Sequence, residues 1–483
     1  MKSLTKNSLF NALYQMLNMV FPLIASMYVA RTLMPEGVGR VTYAQNITSY
    51  FVTAASLGIP TVGLRAISNA RDDRTKLSRT FSELAIINAF STLISFAGYL
   101  VLVFSNPMFK ADMQLYLATG IVVAFNIFNI DWLYQGCEEY VYIVVRSIVV
   151  KIVSLIALLL VVKNKNDYVA YAAITAFATC GNYLFNVVRA NKYATLQFHD
   201  LELKQHIKPI LLFAGTLFFG AIYGKVDTTM IGIMVGEESV GYYSYAHKVL
   251  QIGVSFCASV TSAFLPRLSY YFQRDRQRFN TLVSNGIRII AFIAIPAATG
   301  LFLLAPEAIE LLFGDMFMPA ARTLRIFSIL IIVYAFGNLM CYQMMICSGN
   351  EKKHVVVLAC AAGMNVILNA LFIPKFQHDG AAIASVITEL LINIIECTLF
   401  ARLLKIKYEW NIICQAVICS GIMGVCICFV KHFINGTLVS FISSIVIGIA
   451  AYLITNIILK NQIVFQAITA IKDKRQQIYK SKQ

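Results

Sequence analysis

The 483-residue sequence predicts an all-α polytopic membrane protein with about 14 transmembrane helices. Three observations support this fold class. The composition is 58% hydrophobic and only 13% charged, with a mean hydropathy of +0.70, which excludes a water-soluble globular protein. Apolar runs of about 20 residues recur along the whole chain, and each is long enough to cross a hydrocarbon layer about 30 Å thick. A short internal repeat divides the first twelve runs into two sets of six.

The apolar runs give the predicted order of the helices. The first run follows Lys2 and Lys6, is long enough to span and lacks a small-residue cleavage site, so we expect it to remain as the first helix. The connections are short, and no soluble domain is expected. The predicted spans are 8–30, 41–64, 80–104, 113–135, 141–162, 167–189, 207–235, 239–264, 281–305, 320–346, 354–374, 379–401, 409–431 and 437–459.

The distribution of Lys and Arg orients these spans. The net charge of +16 does not indicate a nucleic-acid partner, because the cations concentrate in alternate connections, as the positive-inside rule requires. With both termini in the cytoplasm, the inner connections and the tail hold most of these residues. The outer connections hold only Arg31, Arg40, Lys110, Lys163, Lys165, Lys375 and Lys431.

An internal repeat relates the two halves of the chain. A shift of 202 residues aligns Glu36, Val38, Gly39, Tyr43, Ala44, Arg65 and Arg74 with Glu238, Val240, Gly241, Tyr245, Ala246, Arg267 and Arg276. A shift of 213 aligns Gly136 and Glu138 with Gly349 and Glu351. The repeat predicts an N-terminal lobe of helices 1–6 (residues 1–206) and a C-terminal lobe of helices 7–12 (207–405). Helices 13 and 14 (406–459) follow, and then a basic tail (460–483), either an amphipathic helix on the inner leaflet or a solvated basic segment.

Ionisable residues lie inside several spans, where each costs a few kcal/mol and normally faces a bundle interior or an aqueous cavity. Lys225 and Asp227 precede the turn at Gly236, and Lys248 follows it. At about 1.5 Å per residue, Asp227 and Lys248 both lie roughly 15 Å from that turn, so the two helices can bring them together. Such a pair is either functional or an ion pair that only joins two helices.

The deep cations outnumber the deep carboxylates. Lys151, Lys225, Lys248 and Arg288 cannot all be neutralised by Asp227. An interior with a net positive charge favours the binding of an anionic substrate. The other acidic residues in comparable positions are Glu83, Asp131, Glu389 and Glu396.

A separate pair of charges lies near the predicted inner turn at Glu138. Asp131 and Arg146 are at similar distances from that turn, toward the ends of the fourth and fifth spans. We expect them to form a structural ion pair.

The sequence lacks several motifs that are typical of enzymes. The eleven cysteines are scattered within apolar runs, without metal-ligand spacing. There is no Gly-x-x-x-x-Gly-Lys-Ser/Thr phosphate loop, no His-Glu-x-x-His and no Gly-x-Ser-x-Gly motif. We therefore expect no metal or cofactor, and a transporter rather than an enzyme.

Several short motifs follow one another along most of the chain. The motifs are Ala30-Arg31, Leu33, Pro35-Glu36, Gly39, Leu57-Gly58, Arg65, Lys225, Asp227, Gly241-Tyr242-Tyr243-Ser244, Ala246, Lys248, Pro266-Arg267-Leu268-Ser269, Ser348-Gly349-Asn350-Glu351-Lys352-Lys353, Asn365, Asn369, Pro374 and Gly380-Ala381-Ala382. In their order and spacing they resemble those of the polysaccharide repeat-unit flippases, the oligosaccharide-lipid branch of the multidrug/oligosaccharidyl-lipid/polysaccharide exporter superfamily.

The resemblance implies two six-helix lobes that form a V around a central cavity, with two further helices, and that rock between inward-open and outward-open states. It also implies a substrate, an undecaprenyl-pyrophosphate-linked oligosaccharide. This lipid would move from the inner to the outer leaflet of the bacterial cytoplasmic membrane for O-antigen, capsule or another surface polysaccharide. The expected partners are membrane lipids, a coupling proton or sodium ion, and the polymerase and glycosyltransferases of the same pathway.

Cationic side chains would bind the pyrophosphate of such a substrate, and tyrosines its sugars. The headgroup candidates are Lys225, Lys248, Arg288, Lys151 and Arg31, and the sugar candidates are Tyr223, Tyr242, Tyr243 and Tyr245. Asp227 is the candidate ion-coupling residue, because loss of a cationic neighbour on substrate binding would favour its protonation. Alternatively, Asp227 only fixes the helix geometry.

Three rival functions follow from the same residues. A drug or metabolite exporter of the same superfamily would need unpaired carboxylates for cationic substrates, whereas the deep excess here is cationic. A peptidoglycan-precursor flippase would have a similarly cationic cavity, and physical reasoning alone does not separate it from the repeat-unit class. A scaffold that recruits biosynthetic enzymes through its basic inner loops would tolerate neutralisation of Lys225 and Lys248.

Overall fold

The structure, a computed structural model, describes residues 4–401, 410–461 and 463–465. The regular secondary structure of these residues is helical, without a β-strand. The helices are α1 (Leu4–Ser56), α2 (Ile59–Ala70), α3 (Arg74–Ser105), α4 (Pro107–Ala111), α5 (Met113–Phe125), α6 (Asp131–Gly136), α7 (Tyr140–Val161), α8 (Tyr168–Ala190), α9 (Lys204–Met234), α10 (Glu237–Ser262), α11 (Leu265–Arg274), α12 (Arg276–Phe313), α13 (Ala320–Gly337), α14 (Gln343–Ser348), α15 (Glu351–Ala401), α16 (Trp410–Phe433) and α17 (Thr437–Ile458). Two 3₁₀ turns (Asn126–Phe128 and Asp315–Phe317) and a π-helical turn (Asn338–Tyr342) lie between them.

Two of the long helices contain a sharp break at a single residue. α1 is interrupted at Met34 (φ 60°, ψ 175°) and α15 at Gln377 (φ 53°, ψ −132°). Residues with side chains rarely adopt a positive φ. The breaks separate the first predicted span from the second, and the eleventh from the twelfth. The sequence predicts connections of several residues at these places, whereas the chain turns at one residue.

Within the described residues, ten helical stretches are long and apolar enough to cross a membrane. Two of them, Phe21–Ala70 and Lys352–Leu399, contain the breaks at Met34 and Gln377, so each covers two predicted spans. The shorter apolar stretch Met113–Phe128 and helix α8 occupy the positions of the predicted fourth and sixth spans. The all-α membrane class is thus confirmed, and the number of 14 crossings stays a prediction.

The helices form two compact units, Met1–Ser244 and Tyr245–Gln483. The boundary between the units comes later than residue 206, because α9 packs against α1 in the first unit. An added Cβ on Gly232 of α9, for example, would overlap the Tyr43 ring. The lobe boundaries at 206 and 405 stay predictions from the repeat.

Backbone features recur at the 202-residue interval of the sequence repeat. Met34 and Gly236 both have positive φ and both precede a membrane-spanning helical segment. Asp73 and Asp275 are both N-caps whose carboxylates accept hydrogen bonds from backbone N–H groups. α3 and α12 begin directly after these caps. The repeat is therefore present in the backbone geometry as well as in the sequence.

Helices α16 and α17 belong to the second unit and pack against α12. Met423 on α16 and Tyr452 on α17 are buried in one cluster, and the Tyr452 hydroxyl donates to the Phe292 carbonyl oxygen of α12 at 2.8 Å. The Lys431 ammonium lies 2.6 Å from the Glu307 carboxylate. Residues 402–409, where the predicted helix 13 begins, and 466–483, most of the predicted tail, lie outside the described residues.

Candidate substrate site

The predicted headgroup residue Lys225 lies on α9, beside the second segment of α1. Asn46 Nδ2 on α1 donates to the Lys225 carbonyl oxygen at 3.0 Å and to Thr229 Oγ1 at 2.8 Å. The Tyr50 hydroxyl lies 2.9 Å from the same threonine oxygen. These contacts hold the backbone of Lys225 through another helix and do not involve its half-buried ammonium group.

Asp227, two residues further along α9, is held by the start of α10. The Tyr243 hydroxyl donates to Asp227 Oδ2 at 2.5 Å, a length typical of a hydrogen bond to an ionised group. Tyr243 is buried and Asp227 is half-buried. The described partner of the predicted coupling carboxylate is therefore a tyrosine that the sequence assigns to sugar binding.

Glycines related by the repeat bring α1 and α10 into close contact. An added Cβ on Gly39 would overlap the Glu237 carbonyl oxygen, and one on Gly241 would overlap the Pro35 carbonyl oxygen. Gly241 and Glu237 are the 202-residue counterparts of Gly39 and Pro35, so each segment contacts the other through the same two positions. Side chains larger than hydrogen would not fit, which explains why glycine occupies both sites. We name this crossing, Pro35–Gly39 against Glu237–Gly241, the glycine crossing.

In the second unit, Lys248 lies over an aromatic cluster. Its Nζ is 4.2 Å from the centroid of the Tyr245 ring, a cation–π contact. That ring stacks on Phe317, with centroids 4.8 Å apart, and meets Phe313 edge-on at 4.6 Å. Tyr245 is only 1% exposed, so here it is a core residue that supports Lys248. Its sugar contact stays a prediction.

Neither Lys225 nor Lys248 forms an ion pair within the part of the chain that the structure describes. Both side chains are half-buried. A cation inside a membrane-spanning helix costs a few kcal/mol, and no described carboxylate offsets that cost here. The two ammonium groups are therefore suited to an anionic ligand.

Three further predicted residues lie in the first unit. Lys151 on α7 is half-buried, with Nζ 5.7 Å from the Phe21 ring centroid. Arg31 is exposed on α1, three residues before the break at Met34. Tyr223 is half-buried on α9, one turn before Asp227. Their ligand roles stay predictions.

The remaining two predicted residues have different surroundings. The Tyr242 hydroxyl donates to Glu238 Oε1 at 2.6 Å, so it contacts a residue of its own helix. Arg288 is half-buried on α12. The structure places these residues without testing their binding roles.

Asp131 and Arg146 form the ion pair that their positions predict. Arg146 Nη2 lies 3.0 Å from Asp131 Oδ1, and the Arg146 side chain is 2% exposed. The same guanidinium donates to the amide oxygens of Asn182 and Asn186 on α8. Asn186 in turn donates to Asp131 Oδ1. The four side chains join α6, α7 and α8 in one network, in which Arg146 and Asn186 are buried and Asp131 and Asn182 are half-buried.

The second unit also contains an apolar cavity that the sequence does not reveal. It has a volume of about 650 Å³ and is lined by α10, α12, α13, α16 and α17. Phe256, Ile331 and Met423 contribute to its surface. A hydrocarbon chain fits such a lining, because each buried methylene gains about 0.8 kcal/mol.

Sequence reasoning missed three polar residues of the site, Asn46, Tyr50 and Thr229. A detectable signal was their position inside apolar spans, where polar side chains commonly join helices. Their partners were not readable, because the contacts connect residues about 180 positions apart in the chain.

Comparison with protein families identifies the chain. The family profile described as "Polysaccharide biosynthesis protein" matches residues 4–272, more than half of the sequence. The chain belongs to the polysaccharide biosynthesis protein family. A second profile, MatE, matches residues 213–371. Lys225, Asp227 and Lys248 lie in both matched regions.

Curated relatives of this polysaccharide biosynthesis protein span most of its length. A protein of Escherichia coli (strain K12) named for O-antigen transport is 22% identical over 399 residues, covering 81% of this chain and 95% of the relative. The capsular polysaccharide biosynthesis protein CapF of Staphylococcus aureus is 24% identical over 409 residues, covering 80% and 96%.

Solved structures share the fold of this polysaccharide biosynthesis protein. The lipid II flippase MurJ in an inward closed conformation superimposes with a TM-score of 0.77 at 16% identity, covering 94% of this chain and 99% of MurJ. An inward-facing multidrug resistance MATE transporter superimposes with a TM-score of 0.63 at 14% identity, covering 79% and 93%. At these identities the likeness establishes the helical transporter fold alone.

Proposed function

We propose that the protein is a flippase that moves an undecaprenyl-pyrophosphate-linked oligosaccharide from the inner to the outer leaflet of a bacterial cytoplasmic membrane. The family and the relatives named for O-antigen transport and capsule biosynthesis support this function. The observation that carries it is the presence of two half-buried lysines, Lys225 and Lys248, without an ion pair in the described residues.

The chemistry of the headgroup explains why such lysines are useful. A pyrophosphate loses its water shell when it leaves the membrane surface, and charge-assisted hydrogen bonds from ammonium groups replace that shell. The attraction strengthens as the effective dielectric constant falls. In this proposal each of Lys225 and Lys248 is a candidate contact of the pyrophosphate, as are Arg288, Lys151 and Arg31. The candidate sugar contacts are Tyr223, Tyr242, Tyr243 and Tyr245.

In this proposal, the apolar cavity of the second unit binds part of the lipid tail during transport. It is lined by aliphatic and aromatic side chains of five helices, including both helices that follow the repeat. We assign this cavity to part of the undecaprenyl chain. The assignment explains why helices α16 and α17 follow the two repeats.

The transport cycle that we propose is ion-coupled alternating access, with both termini in the cytoplasm. Asp227 is the candidate coupling group, since its carboxylate is already held by Tyr243 on the next helix. Loss of this contact would favour the binding of a proton or a sodium ion at Asp227 Oδ2. Polymerase and glycosyltransferases of the same pathway would supply and consume the substrate.

Reconstituted vesicles test this function. The probe is an undecaprenyl-pyrophosphate oligosaccharide with a fluorescent sugar, and its transfer across the bilayer is read with a membrane-impermeant quencher. We expect Lys225→Gln with Lys248→Gln to slow transfer at least tenfold, about 1.4 kcal/mol. The matched control is Lys165→Gln, because Lys165 is exposed outside the spans. A wild-type rate in the double variant would exclude the two lysines as headgroup contacts.

A peptidoglycan-precursor flippase is the second candidate, favoured by the structural likeness to MurJ. Its substrate carries the same pyrophosphate, so the lysines do not discriminate. The same vesicle assay with lipid II as the probe separates the two functions. Faster transfer of lipid II than of a repeat-unit lipid would favour this alternative.

A further inference from the structure

The second unit contains a buried histidine–carboxylate pair that the proposed function does not use. His354 Nδ1 and Glu396 Oε1 are 2.5 Å apart, between the two segments of α15. The Glu396 side chain is 1% exposed and the His354 side chain 20%. An ionised Glu396 would only accept hydrogen bonds, so the contact would then require the Nδ1–H tautomer of His354, in which Nε2 is the nitrogen that can take a further proton.

The pair borders a cavity of about 240 Å³ inside the second unit. Glu389, which is 8% exposed, contributes a second carboxylate to the cavity wall, and Asn338 and Asn393 contribute amides. A water molecule occupies about 30 Å³ in the liquid, so several fit.

The cavity wall is built by a local distortion of the tenth span. Asn338 begins a π-helical turn, a feature frequently found at functional sites. Thr261 Oγ1 and Gln343 Nε2 donate to Asn338 Oδ1 at 2.8 and 3.0 Å. An added Cβ on Gly337 would overlap Asn393 Oδ1, so this glycine admits the amide into the wall.

The described residues that line the cavity include two carboxylates and one basic side chain. α10 contributes Val254 and Ala258 to the cavity, neither of which titrates. The titratable and charged groups from the other elements are Tyr334, Tyr342 and Cys341 of the tenth span, and Glu389, Cys397, Lys352 and Lys353 of α15, the two lysines being exposed. Among the described groups of the cavity wall, His354 is thus the basic one.

We propose that His354 and Glu396 form a second proton-binding site, separate from Asp227, that contributes to the coupling of export to the proton gradient. This inference rests on the proposed flippase function. A proton from water in the cavity binds Nε2 of His354, while Nδ1–H stays on Glu396. The pair changes from one net negative charge to a neutral imidazolium–carboxylate pair. A neutral pair is cheaper to enclose in a medium of low dielectric constant, so proton binding favours a closed cavity.

Proton counting tests the site without transport. The full chain in nanodiscs is shifted from pH 8 to pH 6 in weak buffer, and the protons taken up per chain are measured with a pH dye. We expect His354→Gln and Glu396→Gln each to take up about one proton fewer than wild type. The double variant should take up no fewer protons than either single variant. The control is His432→Gln, which removes an exposed histidine at the end of α16. Combined with either variant, it should lower the number of protons taken up by a further, independent amount. Separate, additive losses for His354 and Glu396 would overturn the shared site.

Transport under an imposed pH gradient tests the coupling. The vesicle assay is repeated with and without the gradient for wild type, His354→Gln, Glu396→Gln and His432→Gln. We expect the gradient to accelerate wild type and His432→Gln severalfold and the other two variants clearly less, because these two variants retain only the candidate coupling group Asp227. The same acceleration in Glu396→Gln would overturn the coupling role. Absence of any transfer by wild type would instead refute the proposed function, and the proton count does not depend on it.

Discussion

Each unit contains a polar side-chain network close to an interrupted helix, and the two networks consist of different residue types. In the first unit, Arg146 joins Asp131 on α6 to the two asparagines of α8. In the second unit, helix α15, which follows the interrupted tenth span, holds His354 and Glu396. The first network is built on a guanidinium that does not lose its proton in proteins, and the second on an imidazole that does.

The two networks also differ in their surroundings. Arg146 is enclosed by hydrogen-bond partners and by the Tyr142 ring, whose centroid is 5.6 Å from Cζ. The histidine–glutamate pair instead borders a cavity large enough for water. The first unit thus holds an ion pair with a buried guanidinium, and the second a histidine–carboxylate pair beside a cavity. We infer that the first network maintains structure and that the second changes state during the cycle.

The largest expected effect comes from breaking the fixed network. Arg146→Met leaves Asp131 and two asparagine amides without their central partner, and such a loss costs about 3 to 5 kcal/mol. His354→Gln keeps a polar side chain beside Glu396 and should cost about 1 kcal/mol or less. Thermal unfolding of the purified chain, followed with a dye that reacts with newly exposed cysteines such as Cys180 and Cys257, measures both.

Arg146→Lys serves as the control for this comparison. It keeps the positive charge but cannot donate to three partners in the planar geometry of arginine, so we expect an intermediate loss of stability. Equal destabilisation by Arg146→Met and His354→Gln would contradict the assignment of different roles to the two networks.

The glycine crossing provides a place where the two copies should behave alike. Gly39→Val and Gly241→Val each put a side chain into the backbone carbonyl of the facing segment, so each should cost about 1 to 3 kcal/mol and to a similar extent. Gly220→Val is the control, because nothing lies within 4 Å of an added Cβ at that helical position. Cysteine-dye unfolding in detergent measures the three variants. A large loss in only one of Gly39 and Gly241 would show that the crossing is not symmetric in energy.

Much of the fold is readable from the sequence, because hydropathy alone decides which segments are helical in a membrane. The breaks in α1 and α15 are not readable. Met34 and Gln377 adopt a positive φ although neither is a residue that favours it, so packing of the flanking helices imposes the turn. The adjacent Pro35 is a weak signal for the first break, since proline disfavours helical conformation in the preceding residue.

The candidate site is readable only in part. Asp131 and Arg146 are predictable as a pair because both lie close to the same turn, so distance along the helices determines their contact. His354 and Glu396 are 42 residues apart on either side of a break, and their contact depends on how the two segments of α15 are aligned. Asp227 was identified as a buried charge, but its contact with Tyr243 depends on the rotation of α9 and α10 about their axes. Sequence position does not specify either quantity.

The smallest expected effect concerns the two repeated helix caps. Asp73 Oδ1 accepts from the backbone N–H groups of Thr75 and Lys76 at 2.9 and 3.2 Å, whereas Asp275 Oδ1 accepts from that of Arg278 at 3.0 Å. Replacing an N-cap aspartate with alanine typically costs about 1 kcal/mol. We expect Asp73→Ala and Asp275→Ala to lower stability by about that amount each, with Asp73→Ala the larger because two hydrogen bonds are lost.

Asn and Ala replacements at both caps make this small difference measurable. Asn retains a side-chain oxygen that can accept from the helix, so Asp73→Asn and Asp275→Asn should recover most of the stability lost with Ala. Thermal unfolding of the four variants in one detergent provides the comparison. If Asn recovers no stability at either position, the shared cap geometry contributes little to stability. The carboxylates would then act through their charge, by attraction to the helix dipole or, for Asp275, to the Arg278 guanidinium at 3.2 Å.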